Sequence, residues 1–142
     1  MSLEPTIFRV WFAPLTANEM LRMHFMERAA EKARWRSALR IAAKKLNGPR
    51  DGKPKRLQIV VFRAGLQDED NKWASVKPVV DALKESGWIA DDRKSMLDLR
   101  VDEVKLKRKT KTMPAIKPYT MIYIEEWNKE PCQSQESSPT RS

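Results

Sequence analysis

Cysteine and histidine are almost missing from this sequence, which has one of each in 142 residues, Cys132 and His24. No internal disulfide can form, and metal sites built on Cys or His clusters are excluded, so any metal must rest on carboxylates. Both residues read as bystanders, one on a helix surface and one near the C-terminus. Long apolar runs are missing too. Residues 1–14 have no Lys/Arg-led opening, and Arg9 and Pro14 interrupt their apolar side chains. This predicts neither a secretory signal nor a membrane span, and so a cytoplasmic chain with no membrane partner.

Acidic residues are in deficit, 19 against 28 Lys+Arg, for a net charge of +9. Such a balance points to a polyanionic partner. The length predicts one domain, and 41% hydrophobic residues can supply its core. The charges are unevenly spread. Residues 1–64 carry 14 basic and 5 acidic groups, residues 65–104 carry 6 and 10, and residues 105–124 carry 6 basic and no acidic groups. An acidic islet between basic flanks suits a metal site set into a surface that holds phosphates.

Periodicity gives the elements. Thr6–Phe12, β-branched and aromatic and bounded by Pro5 and Pro14, predicts a strand. Asn18 is a candidate cap for a long helix to about Leu46, with Trp35, Ala38, Leu39, Ala42 and Leu46 on one face. Leu57–Phe62 reads as a buried strand and Trp73–Ser86 as a helix with Gly87 as its left-handed cap, Pro78 restarting or kinking it. Trp73, Val76, Val80 and Leu83 are expected in the core. Leu97–Lys107 and Tyr119–Trp127 complete the strands. The expected fold class is α+β, a mixed sheet with helices packed on one face, over residues 1–128. Residues 129–142, with almost no apolar side chains, are expected to be a disordered tail.

The chemistry concentrates in Leu66–Arg100. Asp68 and Asp70 follow a predicted strand, and in extended chain such a pair projects to one face and can reach one ion. Asp91 and Asp92 lie beyond the next helix, where either could complete an all-oxygen site of the kind Mg²⁺ takes. Lys77 can offer an ammonium to a scissile phosphate or leaving oxygen. Each feature also has a plain structural reading. Asp-x-Asp-Asn is a common turn and helix N-cap, Asp91-Asp92 a solvated loop, and Lys77 with Asp81 an ordinary helical ion pair.

Taken in order, Asp68-Glu69-Asp70-Asn71, Lys77, Asp81-Ala82-Leu83, Gly87 and Asp91-Asp92 resemble the signature of the RusA family of Holliday-junction resolvases. The resemblance covers about 35 residues closely. It implies a RusA-like fold and a Mg²⁺-dependent endodeoxyribonuclease of bacterial or phage type. Such an enzyme works as a homodimer in DNA recombination and repair, nicking paired strands of a four-way junction. It also implies Asp68, Asp70 and Asp92 as metal ligands and Lys77 as the catalytic lysine.

Basic flanks complete the reading. Lys32, Arg36, Arg40 and Lys44 recur every fourth residue of the long helix, Arg50, Lys53, Lys55 and Arg56 follow in a loop, and Lys105, Lys107, Arg108, Lys109 and Lys111 form a second cluster. Few acids balance them, which favours phosphate contact over a merely solvated face. Two alternatives stand beside junction resolution: a non-catalytic nucleic-acid-binding module, and a metal nuclease of broader branched-DNA specificity.

Overall fold

The computed structural model describes residues 6–44, 48–106 and 117–127. Leu57, Ile59 and Val61 of β2 (Lys55–Arg63) alternate onto one face and are fully buried there. That alternation marks a strand with one covered face. β2 pairs antiparallel with β4 (Tyr119–Glu126), setting Ile59 opposite Ile122, and parallel with β3 (Leu97–Lys105), setting Ile59 opposite Val101. β1 (Thr6–Val10) adds antiparallel to the far edge of β4, so the mixed four-stranded sheet runs β1-β4-β2-β3. A parallel pair needs a crossover. Here α3 (Glu69–Ser75) and α4 (Lys77–Glu85) make it between β2 and β3.

The inward side chains of all four strands share a core with Trp35 and Leu39 of α2 (Phe25–Ala43), with Val79, Ala82 and Leu83 of α4, and with Trp88 and Ile89. Side chains of the opposite sheet face, among them Val60, Phe62, Met121 and Tyr123, are only half-buried. This is a single α+β domain on a mixed sheet, as the element pattern predicts. Among the described residues no helix is long and apolar enough to cross a membrane. Leu46, the residues 107–111 and the tail 129–142 with Cys132 lie outside the described residues.

Two predicted helices are each divided. The first becomes α1 (Ala17–Leu21) and α2, and its cap is Thr16, not Asn18. Thr16 Oγ1 accepts from Glu19 N at 3.2 Å, while Thr16 N donates to Glu19 Oε1 at 2.8 Å. This reciprocal capping box fixes where the helix starts. A second start follows at once, with His24 N donating to Glu27 Oε1 at 2.9 Å. The other helix breaks at Val76, and Pro78 sits in the first turn of α4, where its missing N–H costs nothing. Because the break lets α3 turn away from α4, Trp73 is not core. It is 40% exposed and donates from Nε1 to Glu69 at 3.2 Å.

Gly87 ends α4 as expected, at φ +81°. Gly87 N donates to Lys84 O at 3.1 Å and Trp88 N to Leu83 O at 2.9 Å, the paired bonds of a Schellman motif. The turn drives Trp88 and Ile89 into the core and sends Asp91 and Asp92 back over α4. A β-carbon at Gly87 would also meet the Arg50 side chain. Gly87→Ala is expected to lower stability by about 1–2 kcal/mol, the cost of a left-handed non-glycine residue. Urea unfolding measures it; an unchanged midpoint would mean that the turn relaxes freely.

Candidate functional site

Asp68 is the N-cap of α3, its carboxylate accepting from Asn71 N at 3.4 Å. Asp70 lies in the first turn of that helix. The extended geometry expected for the pair is therefore corrected. Asp68 keeps an extended backbone, at φ −73° and ψ 172°, but Glu69 and Asp70 are helical, so the continuous extended segment that would project both carboxylates to one face ends at Asp68. Helix capping wins locally because the orphan N–H groups at the start of α3 need an acceptor.

Lys77 opens α4, and its Nζ lies 3.5 Å from Asp81 and 3.4 Å from Asp92. The second contact joins groups 15 residues apart across the Gly87 turn. Asp92 also faces Lys84 Nζ at 3.8 Å. Asp91 turns the other way, pairing with Arg93 Nε at 2.7 Å and accepting from Asp92 N at 2.7 Å. The Asp81 charge, followed by Asp92, holds the Lys77 ammonium above the usual lysine range. Desolvation pushes the Asp92 carboxyl up, but Lys84, the hydrogen bond to Asp91 and Lys77 together outweigh it and keep it below the usual carboxylate range.

Lys77 stands between two hollows. One, about 540 Å³, is lined by Trp73, Lys77, Asp92 and Lys94 among others. The second, about 630 Å³, runs between α1, α2 and α4 and includes Asn71, Lys77 and Asp81. Carboxylate oxygens have the chemistry that Mg²⁺ takes. Yet among the described residues no three His, Cys, Asp or Glu stand close enough to share an ion. Asp68, Asp70 and Asp92 do not fit a preformed three-carboxylate site in this arrangement.

A buried polar cluster, with no local signal in the sequence, holds the loop that carries Asp68. The Glu103 side chain, 2% exposed, accepts from Gln67 N at 2.7 Å and from Gln67 Nε2 at 2.8 Å, and pairs with Arg63 Nε at 3.4 Å. Gln67 also accepts from Ala17 N at 3.1 Å, and Arg63 Nη2 donates to Pro14 O at 3.0 Å. β2, β3 and the start of α1 are thereby tied to the residue just before Asp68.

The basic stripe is not uniformly free. Glu85 takes Lys32 Nζ at 2.7 Å and Arg36 Nη1 at 3.0 Å, pinning α2 to α4. The hydrogen bond from Lys32 holds the Glu85 carboxyl below its ordinary range. A carboxyl depressed in the fold adds stability that is present above its unfolded pKa of about 4.3 and lost as pH falls through the lower folded value. Arg40, Lys44 and Lys105 are exposed. The expected loop cluster is corrected: Lys55 and Arg56 belong to β2, Lys55 is buried on Asp51 at 2.9 Å, and Arg56 pairs with Asp98 at 3.2 Å. Lys107, Arg108 and Lys109 lie outside the described residues. If the remaining stripe meets phosphate, Arg40→Glu is expected to reduce the log–log salt slope of DNA binding by about one unit at unchanged melting temperature. Arg36→Glu is expected to change both, because it sets two carboxylates together beside Lys32. A titration from low to high salt, with a melt of each variant, checks this; an unmoved slope for Arg40→Glu returns Arg40 to a solvated face.

Comparison of the chain with protein-family models and with curated proteins finds no match.

Proposed function

We propose that this chain is a metal-dependent endonuclease of four-way DNA junctions, akin to the RusA resolvases, making paired nicks as a homodimer. The observation that carries this reading is the approach of Lys77 to Asp92 at 3.4 Å. Motif elements far apart in sequence meet on one surface of a strongly basic chain. An ammonium kept charged by Asp81 and Asp92 suits stabilisation of charge on a phosphodiester, or proton donation to its leaving oxygen, and does not suit a general base. The expectation of Mg²⁺ rests on the resemblance and the oxygen donors, with DNA phosphate as a further source of oxygens.

The sheet face that no described element covers supports a homodimer. By strand register it presents Arg9, Arg56 and Arg100 alongside Asp98, Asp102 and Glu125, a balanced set in a chain of net charge +9. A two-fold copy can meet such a face with opposite charges, and paired symmetric cuts need two sites related that way. Sedimentation is expected to show a species near twice 16.5 kDa; a strict monomer making paired cuts would contradict the dimer.

End-labelled four-way junction, fork and linear duplex, each with and without Mg²⁺, test the function on a denaturing gel. Paired nicks in the junction alone support resolution. Cutting of forks as well moves the reading to a broader branched-DNA nuclease. Salt-sensitive binding with no cutting in any divalent metal leaves a nucleic-acid-binding module.

A further inference from the structure

The hollow between α1, α2 and α4 shares Lys77 and Asp81 with the ion-pair cluster, but most of its wall is apolar. Met20, Leu21, Met23, Ala29, Ala74 and Pro78 form the apolar part of its lining, Asn71 and Lys77 stand on one wall, and Glu31, Lys32 and Asp81 also line it. At about 630 Å³ it is within the range of small-ligand sites. The Asn71 carboxamide makes no hydrogen bond to the described residues, so its donors and acceptor are open to a ligand. Methionine thioethers are polarisable and adaptable contacts for an aromatic ring.

A second observation lies at the mouth. The corner where α1 meets α2 exposes three large apolar side chains, Leu21 at 74%, Phe25 at 80% and Met26 at 70%. Leu21 also lines the groove, and exposed Arg22 and Arg28 flank the corner, Arg28 on the groove wall. Apolar side chains interleaved with arginines are what proteins insert between base steps while holding the adjoining phosphates. Among the charged groups lining the groove Arg28, Lys32 and Lys77 outnumber Glu31 and Asp81, and Arg22 adds to them at the corner, a balance that suits the phosphates of a nucleic acid.

We propose that this groove binds one unstacked nucleobase of the branched DNA, with the Leu21–Met26 corner propping the stack open and Asn71 facing the base edge. The proposal rests on the nuclease reading and adds to it a site for the base next to the cut. Unstacking a base costs a few kcal/mol, least where pairing is already disturbed, as at a branch point. The groove would thus favour branched over linear DNA, and the Asn71 amide would bias which base is held.

A single aminopurine, walked through the positions around the branch of a four-way junction, reports unstacking by its fluorescence. The measurement is made with the full chain in EDTA, where binding occurs without cutting. Wild type is expected to raise the signal several-fold at one position beside the branch. Ala74→Trp and Ala29→Trp, both at exposed positions, fill the groove from opposite walls. Each is expected to remove that rise while retaining most of the junction affinity, which phosphate contacts dominate. Circular dichroism confirms that each variant folds. The proposal is overturned if wild type binds with no position responding, or if both Trp variants keep the full rise. Cutting of the same junction in Mg²⁺ without any fluorescence response overturns the base site and leaves the nuclease reading standing. Failure of wild type to bind or cut any branched DNA overturns both. If the Trp variants instead change the sedimenting species and not the fluorescence, the groove is a contact between copies of this chain and the proposal is wrong.

Discussion

Lys77→Met is expected to lower single-turnover junction cleavage by about 100- to 1000-fold, the usual cost of removing one electrostatic stabiliser from a site. The substitution keeps a long flexible side chain and removes only the ammonium. Its neighbours explain why the loss falls on chemistry. Asp81 at 3.5 Å and Asp92 at 3.4 Å hold Lys77 charged and orient it, while 62% of its side chain stays open to solvent and to a phosphate. Exposed ion pairs of this kind contribute little to stability, about 0–1 kcal/mol, so the melting temperature should barely move. Junction affinity should fall by no more than one phosphate contact. Asp92→Asn removes the charge that holds Lys77 across the Gly87 turn, so it should also lower cleavage strongly. Asp91→Asn should cost far less, because Asp91 is turned to Arg93 and to the loop backbone. Quench-flow with labelled junction measures all three variants. An active Asp92→Asn beside a dead Asp91→Asn would place the functional carboxylate one residue earlier; a fully active Lys77→Met would remove this lysine from the chemistry.

Glu103→Gln is expected to destabilise the fold by about 3–5 kcal/mol, as breaking a buried charged pair from one side does. The change is nearly isosteric, so no cavity forms. An amide NH₂ in place of one carboxylate oxygen faces a Gln67 donor, and Arg63 loses its buried counter-charge, keeping Pro14 O at 3.0 Å. Against a total of about 5–15 kcal/mol for a small domain this is a large share. Urea unfolding gives the value. The double change Arg63→Met with Glu103→Leu is expected to recover part of it, since removing both charges leaves none uncompensated. A loss under about 1 kcal/mol, the worth of one ordinary hydrogen bond, would show that water enters the cluster freely. Because Gln67 directly precedes Asp68, cleavage measured well below the melting point should fall in Glu103→Gln as well.

Local signals in the sequence determined the strands, the fold class and the end of α4. Leu57, Ile59 and Val61 alternate with the strand period whatever surrounds them, and Gly87 is the residue for which a left-handed turn costs least. Acidic and basic segments were equally legible as charge counts. What those charges touch was decided only by the tertiary structure. Glu85 claims Lys32 and Arg36 because packing brings α4 against α2, and no spacing within α2 records this. The spacing of Asp68 and Asp70 reads as an extended pair, but capping of α3 is a stronger local demand than strand continuation, and the extended run ends at Asp68. Trp73 counted as core by helical period until the break at Val76 turned α3 outward. Gln67 and Glu103, 36 residues apart, meet because parallel pairing of β2 with β3 sets Arg63 beside Lys105 and so carries Glu103 to the end of β2. Periodicity and capping act over a few residues and can be read from the chain. Ion pairs and buried hydrogen bonds depend on which elements pack together, and that is settled by burial of the whole core.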